Sequence, residues 1–466
     1  MANKKIIVIG SGIGGLFTAI KLAQQGYKVQ IIEARNKAGG FASDITFNNF
    51  SFDSSFYILF DKPGLEWAMQ QIHVNIHDIT NFKLVDKVYH VLHENETEIA
   101  FHKNIEDTAT ILEQKFKGSA STYKSFLSHV TKIHQTLQPL SYKAHPNFMD
   151  MLFSNVLLHI PFLTGSLGNV LERSHLPQAV QKALGVWALI SGQPLNNSVS
   201  TLSLIPSLMH HSGAYYPMGG IASLTNALTT IAEKLEIEIT YNTKVKSICT
   251  KNKVATGITT KAGETVAADG IISNYSGIGT YSELVDDFSE SEKQKLNQQP
   301  LQSVGLCVYL AVKGINPNYY LRFKVNGKKC IAFVQPGIID PSLEKEGWLP
   351  AKLFTHLDNE VALNQEEQIK MMDELVKDRW WQTHISEYKI LHSQTTFNWG
   401  TEYNLYRNSM NPIMSPEFML KKHIPYKSTY IQNLYHAGSS TALGQGISLC
   451  AISGIHAANS LAKFLI

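Results

Sequence analysis

Three glycines near the start of the chain have the spacing of a phosphate-binding turn. Gly10, Gly12 and Gly15 form the pattern G-x-G-x-x-G directly after the apolar, β-branched run Ile6 to Ile9. In a βαβ unit the first glycine permits a tight turn, the second lets backbone N–H groups approach a pyrophosphate, and the third lets the helix pack against the strand. The pattern predicts a dinucleotide site; the alternative is a βαβ unit that uses its glycines only for turns.

The elements that must position this turn follow in the expected order. The run Ile6 to Ile9 predicts a strand buried on both faces of a parallel sheet. Apolar residues recur at helical spacing from Gly14 to Gln25, and Gly26 stands where a left-handed C-cap ends a helix. A second strand is predicted over residues 28 to 32. Glu33 ends it, 18 residues after the last motif glycine, which is close to the spacing at which an acidic side chain reaches a ribose hydroxyl.

Two further glycine turns favour FAD over a nicotinamide dinucleotide. In a nicotinamide enzyme the third strand normally follows a crossover helix, whereas Gly39 and Gly40 come soon after the acidic residue and indicate a chain that wraps over an extended cofactor. Near the other end, a predicted strand at Asn433 to Gly438 and the turn Gly444 to Ile447 precede the last helix. A helix N-terminus there can stabilise the negative charge of reduced flavin. FAD is therefore the predicted cofactor.

The composition describes a globular protein long enough for two domains. The chain has 466 residues, 44% hydrophobic and 17% charged, with a net charge of +3 from 41 basic and 38 acidic side chains. This balance excludes the basic surface that nucleic-acid binding needs. The four cysteines have no C-x-x-C spacing, and the first residues lack the apolar core of a signal peptide. We expect a cytoplasmic protein with no metal and no nucleic-acid partner.

Two segments, Met151 to Leu171 and Ala183 to Ala232, contain no charged side chain. Neither reads as a transmembrane span, because glycine, proline, asparagine and serine residues interrupt both. One interpretation is a large buried core. The other is an apolar substrate tunnel whose mouth rests on a membrane surface. We expect a mixture of the two, with peripheral membrane contact as part of it.

The chain resembles a known superfamily along most of its length. GSGIGG, Glu33, Ala38 to Gly40 and Phe52-Asp53 together resemble the FAD-binding opening of flavin-containing amine oxidases and phytoene desaturases. The middle is similar to bacterial-type phytoene desaturases and carotenoid isomerases. The segments that carry this second resemblance are Tyr216 to Gly220, Thr243 to Val245, Ala268 to Asn274 and, near the end, Gly444 to Gly446.

The resemblance implies the α/β class, with a glutathione-reductase-like FAD-binding Rossmann domain and a discontinuous substrate domain of mixed sheet and helices. The FAD-binding domain is expected at residues 1–75, 215–280 and 426–466. The substrate domain is expected at 76–214 and 281–425, and its helical part is where membrane contact is expected. The predicted cofactor-binding residues are Gly10, Gly12, Ile13, Gly14, Gly15, Glu33, Ala34, Arg35, Gly39, Gly40, Phe41, Ala42, Val245, Asn274, Gly438, Ser439, Gly446 and Ile447.

Two positions depart from the family pattern. Phe41 follows Gly40 where desaturases and amine oxidases usually have an arginine, and Ser439 follows Gly438 where many relatives place an aspartate on a ribityl hydroxyl. A serine hydroxyl can still bind a ribityl hydroxyl, so FAD binding is expected to survive. The missing arginine weakens the likeness to the desaturase branch and also argues against a simple amine oxidase.

The implied activity is FAD chemistry on a long apolar polyene, such as a carotenoid or isoprenoid. Hydride transfer to or from flavin N5 would give desaturation, isomerisation or saturation. The alternatives are an FAD-dependent oxidase of amines or other lipid-like compounds, and a flavin-free lipid-binding protein on the same fold. No motif names the electron acceptor.

Catalytic residues stay open, because no Ser-His-Asp, metal-ligand or paired-carboxylate pattern stands out. His210-His211 lies in the second uncharged segment and could form a proton relay, but such histidines more often have structural roles. A group of aromatic residues could line a pocket or belong to the core. These are Trp380, Trp381, Phe397 and Trp399.

Overall fold

A five-stranded parallel sheet forms around the first strand of the chain. The computed structural model describes residues 4–55, 58–358, 362–441 and 443–465. The strand Lys5–Ile9 is central and pairs in parallel with Lys28–Ile32 and Gly270–Ser273. Glu238–Thr240 and Leu434–His436 are the edge strands. The sheet thus collects strands that lie far apart in the sequence.

Alternate residues of the central strand face two different layers. Ile6 and Val8 pack against helices, whereas Ile7 and Ile9 pack against an antiparallel sheet. All four are buried, as predicted for a strand covered on both faces. The helices are Ile13–Gln24, Lys62–Gln71, Ala222–Lys234 and Ile447–Leu465, and the antiparallel strands are Val245–Lys251, Val254–Thr260 and Thr265–Ala267.

A second, larger sheet has seven strands. Its strands are antiparallel except where Leu321–Asn326 pairs in parallel with Lys87–His93. The hairpin of Lys87–His93 and Glu98–His102, predicted around the turn Glu94 to Glu96, is confirmed. The spatial order is Glu387–Gln394, Leu306–Lys313, Leu349–Thr355, Lys329–Val334, Leu321–Asn326, Lys87–His93 and Glu98–His102.

The two uncharged segments lie in a helical region and have opposite environments. The second contributes many buried residues to the core. In the first, the helices Phe148–Phe153 and Ile160–Leu163 bury no residue. The core interpretation is right for the second segment and wrong for much of the first. The helices of the region are Ile105–Lys115, Ser119–Ser141, Phe148–Phe153, Val156–His159, Ile160–Leu163, Leu167–Glu172, Gln178–Leu184, Val186–Leu189, Leu195–Asn197, Ser200–Leu204, Ile205–Ser207 and Leu208–Ser212.

Smaller elements join these layers, and the predicted α/β class is confirmed. Asp44–Phe47 and Phe50–Asp53 form the expected strand pair after Glu33, although residues 56 and 57 of that aromatic segment lie outside the described ranges. The other strands are Phe82–Leu84, Tyr215–Pro217, Leu301–Ser303 and Ser409–Pro412. The other helices and helical turns are Gly40–Ala42, Ile76–Asp78, Gly277–Gly279, Thr280–Leu284, Glu290–Asn297, Pro336–Ile338, Pro341–Leu343, Gln365–Lys377, Arg379–Gln382, Thr396–Glu402, Tyr406–Asn408 and Phe418–Lys422.

Within the described ranges, no helix combines the length and the apolar character needed to cross a membrane. The same residues contain no group of His, Cys, Asp and Glu side chains that could hold a metal ion.

Candidate functional site

The first glycine turn links the central strand to the first helix. Gly10 has a φ of +90°, and its N–H donates to the Ile32 carbonyl at 2.9 Å. A Cβ on Gly15 would lie 2.1 Å from the Gly10 carbonyl oxygen, so only glycine lets the helix start this close to the strand. The helix begins at Ile13, just before the predicted Gly14. The first-turn N–H groups have no side-chain cap and can face a phosphate.

Asn274 joins this turn to the C-terminal glycine turn. Its backbone N–H donates to the Ile9 carbonyl at 2.9 Å. A Cβ on Gly12, Gly14 or Gly438 would come within 2.7 Å of the Asn274 amide group. The buried Oδ1 of Asn274 has no hydrogen-bond partner among the described residues. An unpaired buried acceptor costs about 1–3 kcal/mol, so this oxygen is available to a donor on a bound group.

Glu33 fixes the end of the second strand to the first turn. Its carboxylate accepts hydrogen bonds from the Ser11 N–H at 2.8 Å, the Ser11 hydroxyl at 2.6 Å and the Arg35 N–H at 2.8 Å. A carboxylate has about four acceptor sites, so one remains for another donor, such as a ribose hydroxyl. Ala34 follows and is half-buried.

The backbone beyond Glu33 brings Val245 into the same neighbourhood. The Thr243 N–H donates to the Glu33 carbonyl at 2.9 Å, and the Asn242 N–H donates to the Arg35 carbonyl at 2.9 Å. Val245 lies two residues further on, where the next strand begins. The acidic residue and Val245, which are distant in sequence, therefore lie close together.

Gly39 and Gly40 form a second turn beside the first. Both have positive φ, at +107° and +55°, which favours glycine. The Arg35 Nη1 donates to the Gly40 carbonyl at 3.2 Å, and its guanidinium lies 4.0 Å from the centre of the Tyr403 ring. Phe41 stacks on the same ring at 4.6 Å. A guanidinium thus lies at this turn although the residue after the glycine pair is not arginine. Ala42 is buried at the end of the turn.

The C-terminal glycine turn meets the first turn through two packed helices. Gly438 has a φ of +88°, and its N–H donates to the Ser453 hydroxyl at 2.8 Å. The Thr18 hydroxyl lies 2.7 Å from the Gly14 carbonyl and 3.0 Å from the Gly454 carbonyl. A Cβ on Gly454 would lie 2.4 Å from the Gly14 carbonyl oxygen. The close approach of the first and last helices therefore depends on glycine.

The remaining predicted residues lie along this second turn. Ser439 donates its hydroxyl to Asn411 Oδ1 at 3.1 Å and keeps its oxygen free to accept. Gly446 has a φ of +127° and directly precedes Ile447, where the last helix begins. The structure therefore brings the predicted residues of both chain ends to one edge of the parallel sheet.

A cavity of about 30 Å³ borders the Gly39–Gly40 turn. Phe41 lines it from this turn, and Met410 lines it beside Asn411, which accepts the hydrogen bond from Ser439. A wider surface depression of about 470 Å³ runs along residues 66–77 and touches none of the predicted site residues. The smaller cavity is the better candidate for substrate contact. Its lining residues are Phe41, Ser54, Ser55, Val304, Cys307, Val334, Lys352, Phe354, Trp399 and Met410.

Lys352 and Asp53 are buried charged residues beside this cavity that sequence reasoning did not select. The Lys352 ammonium donates to the Asp53 carbonyl at 2.6 Å and to the Ser55 carbonyl. The Asp53 carboxylate accepts from the Ile221 N–H at 2.8 Å and the Tyr216 hydroxyl at 3.1 Å. Burial lowers the pKa of Lys352 and raises the pKa of Asp53. A single lysine inside the apolar strand Leu349–Thr355 was the available signal.

Other candidates have structural surroundings. His210 is buried and bridges the Tyr123 hydroxyl at 2.7 Å and the Lys103 carbonyl at 2.9 Å, as a satisfied core histidine does. Trp381 is fully buried in an apolar cluster away from the cavity. Trp399, in contrast, lines the cavity. The core interpretation is therefore right for Trp381, and the pocket interpretation is right for Trp399.

These features fit FAD. The first helix offers uncapped N–H groups, Glu33 offers a free acceptor site, and Asn274 offers an unpaired acceptor. The second glycine turn lies within contact distance of the first. A long cofactor with a phosphate-rich middle and a separate ring at each end matches this set.

Comparison with known proteins agrees with this geometry. A family model described as flavin containing amine oxidoreductase matches residues 13–306. A 1-hydroxycarotenoid 3,4-desaturase of Flavobacterium sp. (strain P99-3) is 24% identical over 97% of this chain and 97% of its own. A 4,4'-diaponeurosporene oxygenase of Staphylococcus aureus (strain MRSA252) is 25% identical over 98% of both chains.

Solved structures share the fold. A crystal structure of an oxidoreductase from Methanosarcina mazei superposes with a TM-score of 0.68 at 18% identity, over 98% of this chain and 100% of the other. The matched family segment covers more than half of the sequence and begins within the first glycine turn. The chain therefore belongs to the flavin containing amine oxidoreductase family and is an FAD-dependent oxidoreductase.

Proposed function

We propose that this oxidoreductase acts on a long apolar polyene, such as a carotenoid or another isoprenoid, by desaturation, isomerisation or saturation. The observation that carries the proposal is the cavity beside the Gly39–Gly40 turn, whose walls are mostly apolar. The names of two relatives that match over nearly the whole chain supply the substrate class. Burial of apolar surface contributes a binding free energy of about 25 cal/mol per Å². Such a substrate could therefore bind without forming an ion pair with the protein.

We propose that FAD extends from Glu33 to the C-terminal glycine turn. Glu33 and the backbone near Val245 would hold the adenosine, and the first helix N-terminus would face the pyrophosphate. Phe41 and the turn from Gly438 to Gly446 would border the flavin ring, which accepts or donates a hydride when bound. The walls of the cavity would contact one end of the polyene and exclude water there.

We propose the same two domains that were expected from the sequence. The strands of the parallel sheet fall within residues 1–75, 215–280 and 426–466, which would form the FAD-binding domain. The strands of the seven-stranded sheet fall within 76–214 and 281–425, which would form the substrate domain.

Product analysis with purified, flavin-loaded protein tests the substrate class. We expect phytoene, lycopene or a related polyene in detergent micelles to change its absorption spectrum and chromatographic mobility, with either oxidised or chemically reduced flavin. Putrescine is expected to leave the flavin oxidised under the same conditions. Rapid bleaching of the flavin by an amine, with every polyene recovered unchanged, would contradict the proposal.

We also propose peripheral membrane contact through an apolar patch at residues 148–160. Phe153, Leu158 and Phe148 are 77%, 76% and 63% exposed. Exposed apolar patches of this kind mark interaction sites, and short apolar helices can lie in the headgroup region of a bilayer. A lipid surface is the favoured partner because the proposed substrate dissolves in bilayers.

Vesicle flotation tests this contact with matched variants. Replacing both Phe153 and Leu158 with serine is expected to lower the fraction bound to phosphatidylcholine–phosphatidylglycerol vesicles about tenfold or more, because burying each side chain contributes on the order of 1.5–3 kcal/mol. The control replaces Leu363 and Ile369, which are 82% and 55% exposed elsewhere, and should bind like the wild type. Equal binding by the two double variants would exclude the patch as the contact.

A further inference from the structure

The cavity beside the flavin-binding segments contains a buried cation. Lys352 is 4% exposed, and its ammonium group has three N–H donors. Two of them are directed to the carbonyls of Asp53 and Ser55. The third has no acceptor among the described residues. Burying an ammonium group destabilises the folded protein unless its remaining N–H donor also has a hydrogen-bond acceptor.

A second buried donor lines the same cavity. Trp399 is 3% exposed, and its indole N–H has no hydrogen-bond partner in the described part of the chain. Indole nitrogen can only donate. The nearby Cys307 thiol is no substitute acceptor, since it is itself neutral: burial raises its pKa to about 11. The cavity wall therefore carries a buried ammonium group and a tryptophan with an unpaired indole N–H, and its other polar side chains are the hydroxyls of Ser54 and Ser55.

The rest of the wall and the volume limit what can accept these hydrogen bonds. Phe41, Val304, Val334, Phe354 and Met410 provide apolar surface around the two donors. The free volume of about 30 Å³ holds one or two water-sized groups, since one water needs roughly 10–15 Å³ of such volume. A single oxygen with its attached carbon fits, whereas a ring or a phosphate does not.

We propose that Lys352 and Trp399 bind an oxygen atom at one end of the substrate, so that the preferred ligand is a polyene with a terminal hydroxyl or carbonyl group rather than a pure hydrocarbon. This inference rests on the proposed function and narrows its substrate class. A hydrocarbon end would leave both donors unpaired in an apolar cavity, whereas an oxygen would accept from both. Discrimination of this kind is strong because a site built for a polar group is penalised when that group is missing.

Equilibrium binding to the flavin-loaded protein tests the proposal without turnover. Lycopene and 1-hydroxylycopene, delivered in the same micelles and followed by quenching of protein fluorescence, form a matched pair. The wild type is expected to bind the hydroxylated polyene about tenfold to a hundredfold more tightly. Lys352→Met should bring the two affinities together, because the hydroxyl group loses its main donor and a hydrocarbon end no longer leaves a buried ammonium group unpaired. Trp399→Phe should remove part of the difference.

Two control variants separate this role from general damage. Trp381→Phe removes another buried, unpaired indole N–H that does not line the cavity, and Lys324→Met removes a lysine of the same sheet that pairs with Asp378. Both should keep the wild-type preference. Trp399→Phe also keeps the test decisive if Lys352→Met fails to fold.

Each other outcome has a distinct meaning. Equal wild-type affinity for both polyenes would overturn the inference and leave the polyene function standing, whereas failure to bind either would count against the proposed function itself. A Lys352→Met protein that keeps the preference but has a shifted flavin spectrum and reduction potential would show that the lysine serves the flavin, which also overturns the inference.

Discussion

Gly14→Ala is expected to yield a protein with less than about a tenth of the wild-type flavin content. The added Cβ would lie 2.6 Å from both the Gly438 nitrogen and the Asn274 Oδ1, and 2.8 Å from the Gly438 Cα. Two of these atoms belong to the backbone of the other glycine turn and cannot rotate away. The two turns would be forced apart, at a cost on the order of 1–3 kcal/mol or more. Visible absorbance of the purified protein, with the melting temperature, measures the effect.

Gly26→Asn is the matched control for this substitution. Gly26 ends the same helix with a φ of +88°, where asparagine is tolerated, and no atom lies within 4 Å of its added Cβ. This variant should keep its flavin and most of its stability. If Gly14→Ala kept full flavin content and an unchanged melting temperature, the close contact between the two turns would not be required for FAD binding.

Acid is expected to destabilise the protein between about pH 6.5 and pH 4 through its buried histidines. Burial lowers the pKa of His210 from 6.5 to about 4 and the pKa of His436 to about 3. Because these values lie below those of the unfolded chain, the unfolded state binds more protons in this interval. The stability is therefore fully present above about pH 6.5 and is lost as the pH falls. For His210 the loss is on the order of 3 kcal/mol.

The hydrogen bonds explain why these rings resist protonation. The Tyr123 hydroxyl and the Lys103 carbonyl satisfy one neutral tautomer of His210, with Nδ1 donating and Nε2 accepting. His436 is 2.8 Å from the Tyr281 hydroxyl through Nε2, whereas its Nδ1 is buried without a partner among the described residues. An added proton on His436 would therefore be buried on Nδ1 without an acceptor.

Melting temperatures measured from pH 7 to pH 4 test this account. His210→Gln should be less stable than the wild type at pH 7 but should show a flatter pH dependence, because one titrating group is gone. His211→Gln removes the exposed neighbour and should run parallel to the wild type. If the His210→Gln curve also ran parallel to the wild type, His210 would not contribute to acid lability.

Local patterns were sufficient to predict the glycine turns and the strands and helices on either side of them. The turn at Gly10 and the hairpin after Lys87 involve residues close in sequence, whose glycines, apolar runs and turn residues are directly visible. The strand order could not be predicted in the same way. Leu321–Asn326 pairs with Lys87–His93 across more than two hundred residues, and only packing of the whole sheet selects that partner.

Burial was the main property that composition could not predict. The two uncharged segments look alike in the sequence, yet Leu158 is 76% exposed and Leu224 is fully buried. An apolar side chain can serve a core or an interaction surface equally well. Lys352 was overlooked for the opposite reason, since a lysine in a strand normally reaches solvent, and nothing local indicates that this one is enclosed.

The contact between the first and last helices has a consequence for the order of synthesis. The Thr18 hydroxyl reaches the Gly454 carbonyl, and Lys4 reaches the Leu465 carbonyl. On a ribosome, the first strand and helix emerge early, but the helical layer that covers the parallel sheet cannot be completed until the final helix Ile447–Leu465 is released. The apolar face of the nascent first helix must wait for its partner, and contacts of such long sequence separation form slowly. A chain that stops short of its last helix would therefore leave the ribosome without part of the proposed flavin cradle and with an exposed, aggregation-prone apolar layer.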